Sequence, residues 1–258
     1  GLQWLKDKYP ESYLLLNHPS RKNNSASEIK IEDIRRMNDL APNIVFGFEG
    51  MPGAQMSPDG NRAEMVDVYG GADEKLAKVG GVWDALLGEG RKFWNFTNSD
   101  FHFKISSNGL YSSTYWPGEY SKNHVWMEGN DYKTLVDGMR SGKAFATYGD
   151  LINELDFHID NKENTAEMGE TMIVEEGDDY VITIRFKSPE TNNYEQITPH
   201  ETTTTNKVEV DHIDLISGEV NGIVSADDPN YSNPTNPTTK VEARFTKDDW
   251  TVDKDGYN

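Results

Sequence analysis

The spacing of apolar and polar positions divides the chain into two parts. Up to about residue 150, short unbroken apolar runs alternate with stretches in which apolar residues recur every three or four positions. Leu2, Trp4, Leu5 and Tyr9 predict a helix over 1–9, with Pro10 just beyond it. Tyr13–Leu16 is an unbroken apolar run, as in a strand buried on both faces. Ile31, Ile34, Met37 and Leu40 fall at helical spacing and predict a helix over about 28–40. A second buried strand follows in 43–50, then a Gly- and Pro-rich loop to 71. Leu76, Val79, Val82, Trp83, Leu86 and Leu87 mark an amphipathic helix within 72–90, stretched or kinked at Gly80–Gly81. Lys92–Phe96 is the third strand, so residues 13–103 read strand, helix, strand, helix, strand. That order implies parallel strands joined by crossover helices, with all strand C-termini on one side. A helix over 131–141 and a short strand over 144–148 close this part.

From 151 the period changes to two. Leu155, Phe157 and Ile159 alternate with polar residues, as do Tyr180, Ile182, Ile184 and Phe186. Val208 and Val210, then Ile213 and Leu215, predict a strand with a bulge between the pairs, and Val241, Ala243 and Phe245 a further one. The expectation is a second domain over 151–258, a small antiparallel β-sandwich with long Thr/Asn/Pro-rich loops, after a first domain over 1–150. Asp253–Gly256 reads as a turn.

Charge and composition narrow the chemistry. There are no Cys, so disulfides, thiolate nucleophiles and Cys-bound zinc are excluded, and any metal must be held by His, Asp and Glu. A formal net charge of −19 opposes broad binding of nucleic acid. No run approaches the roughly 20 apolar residues of a membrane span. The first residue is Gly rather than Met, which predicts that a leader or a longer segment has been removed. Acidity, absence of Cys and the Thr/Asn-rich loops lean towards an exported bacterial protein.

Candidate ligands sit where the three strands end. His18 follows the first, Glu49 ends the second, and Asp100 and His102 follow the third. In α/β folds these ends are where sites are built. Asp100 and His102 are two residues apart, which on a strand aims a carboxylate and an imidazole at one point. A bare D-x-H is weak by itself; its convergence with His18 and Glu49 gives it weight. The aromatic residues of 104–130 suit either a pocket wall or core, and His124 reads as a packed or exposed side chain.

The pattern N-H-P-x-x-R after one strand, F-E-G after the next, then G-G-V-W-D-A-L-L-G-E-G-R leading to N-S-D-F-H, resembles the later half of a PHP (polymerase and histidinol phosphatase) domain over about residues 10–150. The resemblance implies the later half of a distorted β/α barrel, followed here by the β-sandwich. It implies a site of two or three divalent metals (Zn, Mn, Fe or Mg) bound by His18, Asp100 and His102. It also implies Arg21 near a substrate phosphate and Glu49 at the rim. The expected reaction is hydrolysis of a small phosphate ester, with long nucleic acid the least favoured substrate. The family's opening H-x-H motif is missing; the six His are at 18, 102, 124, 158, 200 and 212. A second chain or an N-terminal segment would therefore complete the barrel. The alternatives are another metal-dependent hydrolase, or a non-catalytic barrel carrying a glycan- or protein-binding β-domain.

Overall fold

The computed structural model describes residues 1–20, 29–53, 69–101, 103–106, 109–112, 117–161, 163–191 and 207–258. After helix α1 (Leu2–Lys8), the strands β1 (Leu14–Asn17), β2 (Val45–Pro52) and β3 (Trp94–Asn98) form one parallel sheet in the order β1-β2-β3. Helix α2 (Ile31–Leu40) connects the first two strands, and α3 (Glu74–Ala77) and α4 (Val82–Gly88) lie between the second and third. The stretch predicted as one helix over 72–90 is broken in two, with Gly80 at φ 73° between the pieces. The core lies between α2, α4 and the sheet, where Ile31, Ile34, Leu86, Val45, Phe48 and Phe93 are buried. Phe48 meets Phe93 edge-on, with ring centres 4.7 Å apart. The unbroken apolar runs of the sequence are thus what a strand covered on both faces requires.

The sheet does not continue into a barrel. Beyond β3, pairing is antiparallel in every sheet of the described residues: β4 (Phe103–Ser106) with β5 (Gly109–Ser112), β6 (Ser121–Val125) with β7 (Ala144–Tyr148), the trio β8 (Glu154–Asp160), β9 (Thr165–Glu167) and β10 (Val181–Lys187), and β11 (His212–Ser217) with β12 (Lys240–Thr246). The expected β/α barrel portion is therefore corrected to an open three-stranded sheet with small antiparallel sheets around it. The physical reason lies at β3. Its neighbour is the antiparallel β6–β7 pair, but no backbone ladder joins them. Instead the Asn123 side chain accepts from the Thr97 backbone N–H at 2.8 Å and donates to the Thr97 carbonyl at 2.8 Å. One carboxamide takes the place of a strand, and the curvature needed for closure is not built up.

Helix α5 (Tyr132–Ser141) is capped by Asp131, whose carboxylate accepts from Thr134 N–H, and ends at Gly142, φ 81°. A Cβ at Gly142 would lie 2.6 Å from the Trp94 ring, so glycine serves both the left-handed turn and the close approach. Trp94 Nε1 donates to the Arg140 carbonyl at 2.9 Å, which anchors α5 to β3.

The expected β-sandwich is also corrected. The β8–β10 trio and the β11–β12 pair do not form a two-layered core. Beyond residue 150 the buried apolar side chains among the described residues are Ala166 and Phe186, while Ile182, Ile216 and Phe245 of the alternating faces stay exposed. A sandwich buries both inner faces against each other. The bulge expected near 211 lies instead between Leu215 and Ile216. The segment before β12 packs onto the first part of the chain. Arg35, almost fully buried, donates to Glu89 at 2.7 Å and to the carbonyls of Tyr231 and Asn233. Arg91 holds the other oxygen of Glu89 at 2.8 Å.

Candidate functional site

The C-terminal edge of the parallel sheet brings together several of the residues singled out from sequence. Asn17 of β1 is in register with Glu49 of β2, and the His18 backbone N–H donates to the Glu49 carbonyl at 3.0 Å. Pro52 of β2 is in register with Asn98, two residues before Asp100. The ladder slips between Glu49 and Met51, so that Gly50 bulges. Its N–H donates to Asn95 Oδ1 at 3.2 Å, and a Cβ there would lie 2.6 Å from that oxygen and 2.8 Å from Leu76. Only glycine fits, and the bulge re-aims the strand end as bulges beside sites commonly do.

Glu49 is 2 % exposed, and neither carboxylate oxygen has a hydrogen-bond partner among the described residues. Burial pushes its pKa up from 4.5 to about 8, and the charges of Asp100 and then Asp73 push the same way. The His18 backbone and the Asn98 side chain oppose the shift without completing a well-made hydrogen bond. A buried carboxylate next to another anion is costly unless a proton or a cation neutralises it. His18 and Asp100 carry positive φ values of 31° and 47° although neither is glycine. Backbone strain of this kind, of order 1–3 kcal/mol each, concentrates at functional sites.

Three further groups at this edge were not singled out from sequence. Asp73, fully buried, accepts from Ser20 N–H at 2.9 Å, Ser20 Oγ at 2.6 Å and Lys75 N–H at 2.9 Å. It caps α3 and fixes the turn after His18. The Tyr148 hydroxyl donates to the Pro52 carbonyl at 3.1 Å; burial, Tyr120 and the Glu49 carboxylate drive its pKa far up, so it stays protonated. Lys122 is paired with Asp150, the third non-glycine residue at positive φ. A helix-capping Asp is visible in sequence as an acid before a helical stretch, but its contact with Ser20 spans 53 positions and leaves no local signal. A cavity of about 640 Å³ opens beside this edge, lined by Leu15, Glu49, Asn98, Ser121, Lys122 and Asn123 among others.

Arg21 and His102 lie outside the described residues. Among those described, no three His, Asp or Glu side chains are gathered closely enough to hold a metal ion. His18, Glu49 and Asp100 share one edge, and the donor set they offer, carboxylate oxygen with imidazole nitrogen, suits a divalent cation. The partnerless Glu49 carboxylate beside Asp100 marks where positive charge is wanted. His124 is packed away from this edge, stacked on Phe145 at 4.4 Å, and burial lowers its pKa.

No family model matches the chain, and neither a curated protein nor a solved structure is detectably similar to it.

Proposed function

We propose that this chain is a metal-dependent phosphoesterase acting on a small phosphorylated molecule at the C-terminal edge of β1, β2 and β3. The observation that carries the reading is Glu49, a buried carboxyl group without a hydrogen-bond partner among the described residues, raised to a pKa of about 8 beside a second acid. The N-H-P-S-R and N-S-D-F-H sequences, similar to those of PHP phosphoesterases, supply the rest. His18, Asp100 and His102 would hold the metal, and further ligands would come from a second chain or an N-terminal segment. Divalent ions bound there supply a hydroxide nucleophile and neutralise phosphate oxygens. Arg21 pairs with the phosphate through its planar fork. In the metal-free chain Glu49 holds a proton near neutral pH, the form a general acid needs. The acidic surface, net charge −19, disfavours long nucleic acid as substrate.

The test is hydrolysis of p-nitrophenyl phosphate and nucleoside monophosphates, with metal content measured on the same samples. Chelation should abolish turnover, and added Mn²⁺ or Zn²⁺ should restore it. Glu49→Gln should lower kcat by about 10²–10⁴, the usual contribution of a general acid or base. Asp100→Asn should lower metal content. Turnover that survives chelation, or wild-type kcat in Glu49→Gln, would overturn the reading.

A further inference from the structure

The sheet of β8, β9 and β10 has one lane that the chain leaves open. β8 is the middle strand; β10 pairs with it from Glu154 to Asp160, whereas β9 covers only His158–Asp160. β9 stops because the chain turns off at Glu167, whose carbonyl accepts from the Glu170 N–H at 3.0 Å. Gly169, at φ 78°, passes so close to Ser141 that a Cβ would lie 1.9 Å from the Ser141 carbonyl oxygen. On the side away from β10, Glu154–Phe157 therefore meets no strand among the described residues. A groove of about 540 Å³ begins where β9 ends. It is lined by Glu167, by Glu154–Phe157, and by Trp126 and Phe145 beside the β6–β7 pair. An uncovered strand edge of this kind is a template for one more extended segment.

The lining selects the charge of that segment. Glu154, Asp156 and Glu167 line the groove, with Lys143 as the cation among them. Lys143 lies 2.6 Å from Glu170 and only 3.5 Å from Glu167. Arg185 lies 2.6 Å from Asp253 and 3.4 Å from Asp156, and Lys187 lies 3.5 Å from Glu154. Five carboxylates thus share three permanent cations, and the three that line the groove hold the looser contacts. His158 does not close the gap, since it sits between Asp156 at 2.6 Å and Asp160 at 3.7 Å. The guanidinium of Arg185 and the ammonium of Lys187 already face the Tyr257 ring. Trp126 is 43 % exposed, leans on Phe145 at 5.5 Å, and carries no cation on its face among the described residues. Its backbone is fixed, since its N–H donates to the Lys143 carbonyl at 2.9 Å. Surplus carboxylates beside an open indole are the chemistry that receives an ammonium or guanidinium group.

We propose that this groove takes an extended basic peptide segment of a partner protein, added as a strand to β8 along Glu154–Phe157, with a Lys or Arg side chain between Trp126 and the carboxylates of Glu154, Asp156 and Glu167. Main-chain pairing supplies affinity and the acidic, aromatic lining supplies the preference for positive charge. The molecule's net charge of −19 draws such a segment in and repels an acidic one. The site is separate from the Glu49 edge and does not depend on the reaction proposed there.

Fluorescence anisotropy of a labelled, end-blocked peptide Val-Lys-Val-Arg-Val-Lys-Val titrated with the full chain tests it. The peptide should bind, and its counterpart with Glu at every basic position should not. Replacing the two Val beside the Arg by Pro keeps the charge but forbids strand pairing, and should weaken binding tenfold or more. Trp126→Ala should weaken it as much. Should Trp126→Ala misfold, Glu167→Gln at the groove provides a milder variant, expected to lose affinity several-fold. Asp7→Asn, which removes an equal charge from the exposed face of α1, should change nothing. No binding, or equal binding of the Pro-containing peptide, would overturn the proposal. So would an equal loss in Asp7→Asn and Glu167→Gln, which would trace the attraction to the net charge of the molecule.

Discussion

Glu49 gives the protein a dependence on pH that a surface carboxylate would not. In the unfolded chain it ionises near 4.5, whereas in the folded, metal-free chain it holds its proton to about pH 8. Between those values the folded state carries the extra proton, so the contribution of Glu49 to stability is greatest below 4.5 and is lost as pH rises towards 8. At about 1.4 kcal/mol per pKa unit the effect amounts to a few kcal/mol. Melting temperatures of chelator-treated protein should therefore drop between pH 5 and pH 8, and Glu49→Gln should flatten that slope. Equal slopes in the two proteins would show that Glu49 ionises normally. The sequence reveals an acid at a strand end, and Asn43–Gly50 makes its position legible. It does not reveal that the acid lacks a well-made hydrogen bond among the described residues, because the groups that surround it come from β1, β3 and the turn at Asp73.

At the level of elements, the strength of the sequence reading followed the strength of the pattern. The runs Tyr13–Leu16 and Asn43–Gly50 needed no long-range information, since burial on both faces is written into consecutive residues. The helix over 131–141 was equally plain, with Asp131 as its cap and Gly142 as its stop. The contact between β3 and β6 had no such signature, because a single Asn side chain makes it. Asn123→Ala would leave the buried Thr97 N–H and carbonyl unpaired, at a cost of about 1–3 kcal/mol. Denaturant unfolding should register that loss, with faster amide exchange in β6 than in β2. An unchanged midpoint would mean that the β6–β7 pair is held by its ring contacts alone.

For the molecule as a whole, the β-sandwich expectation foundered on packing partners rather than on secondary structure. The strands over 154–160, 181–187 and 240–246 lie close to where alternation put them. Period-two alternation states that a strand has one apolar face; it does not state what covers that face. The expected sandwich partner is absent among the described residues, and the segment around Tyr231–Asn236 is tied instead to α2 and α4 through Arg35, Gly80 and Gly88. Barrel closure failed for a related reason, since parallel pairing of three strands carries no information about a fourth.

β1 forms one margin of the parallel sheet, and its outer N–H and carbonyl groups meet no strand among the described residues. Such a margin is a template for pairing with another copy. The net charge of −19 sets copies apart at low ionic strength. Salt screens that repulsion, shortening its reach from about 30 Å at 0.01 M to about 10 Å at 0.1 M. Light scattering should therefore grow as NaCl is raised. A proline in place of Leu15 should abolish the growth in those preparations that remain folded.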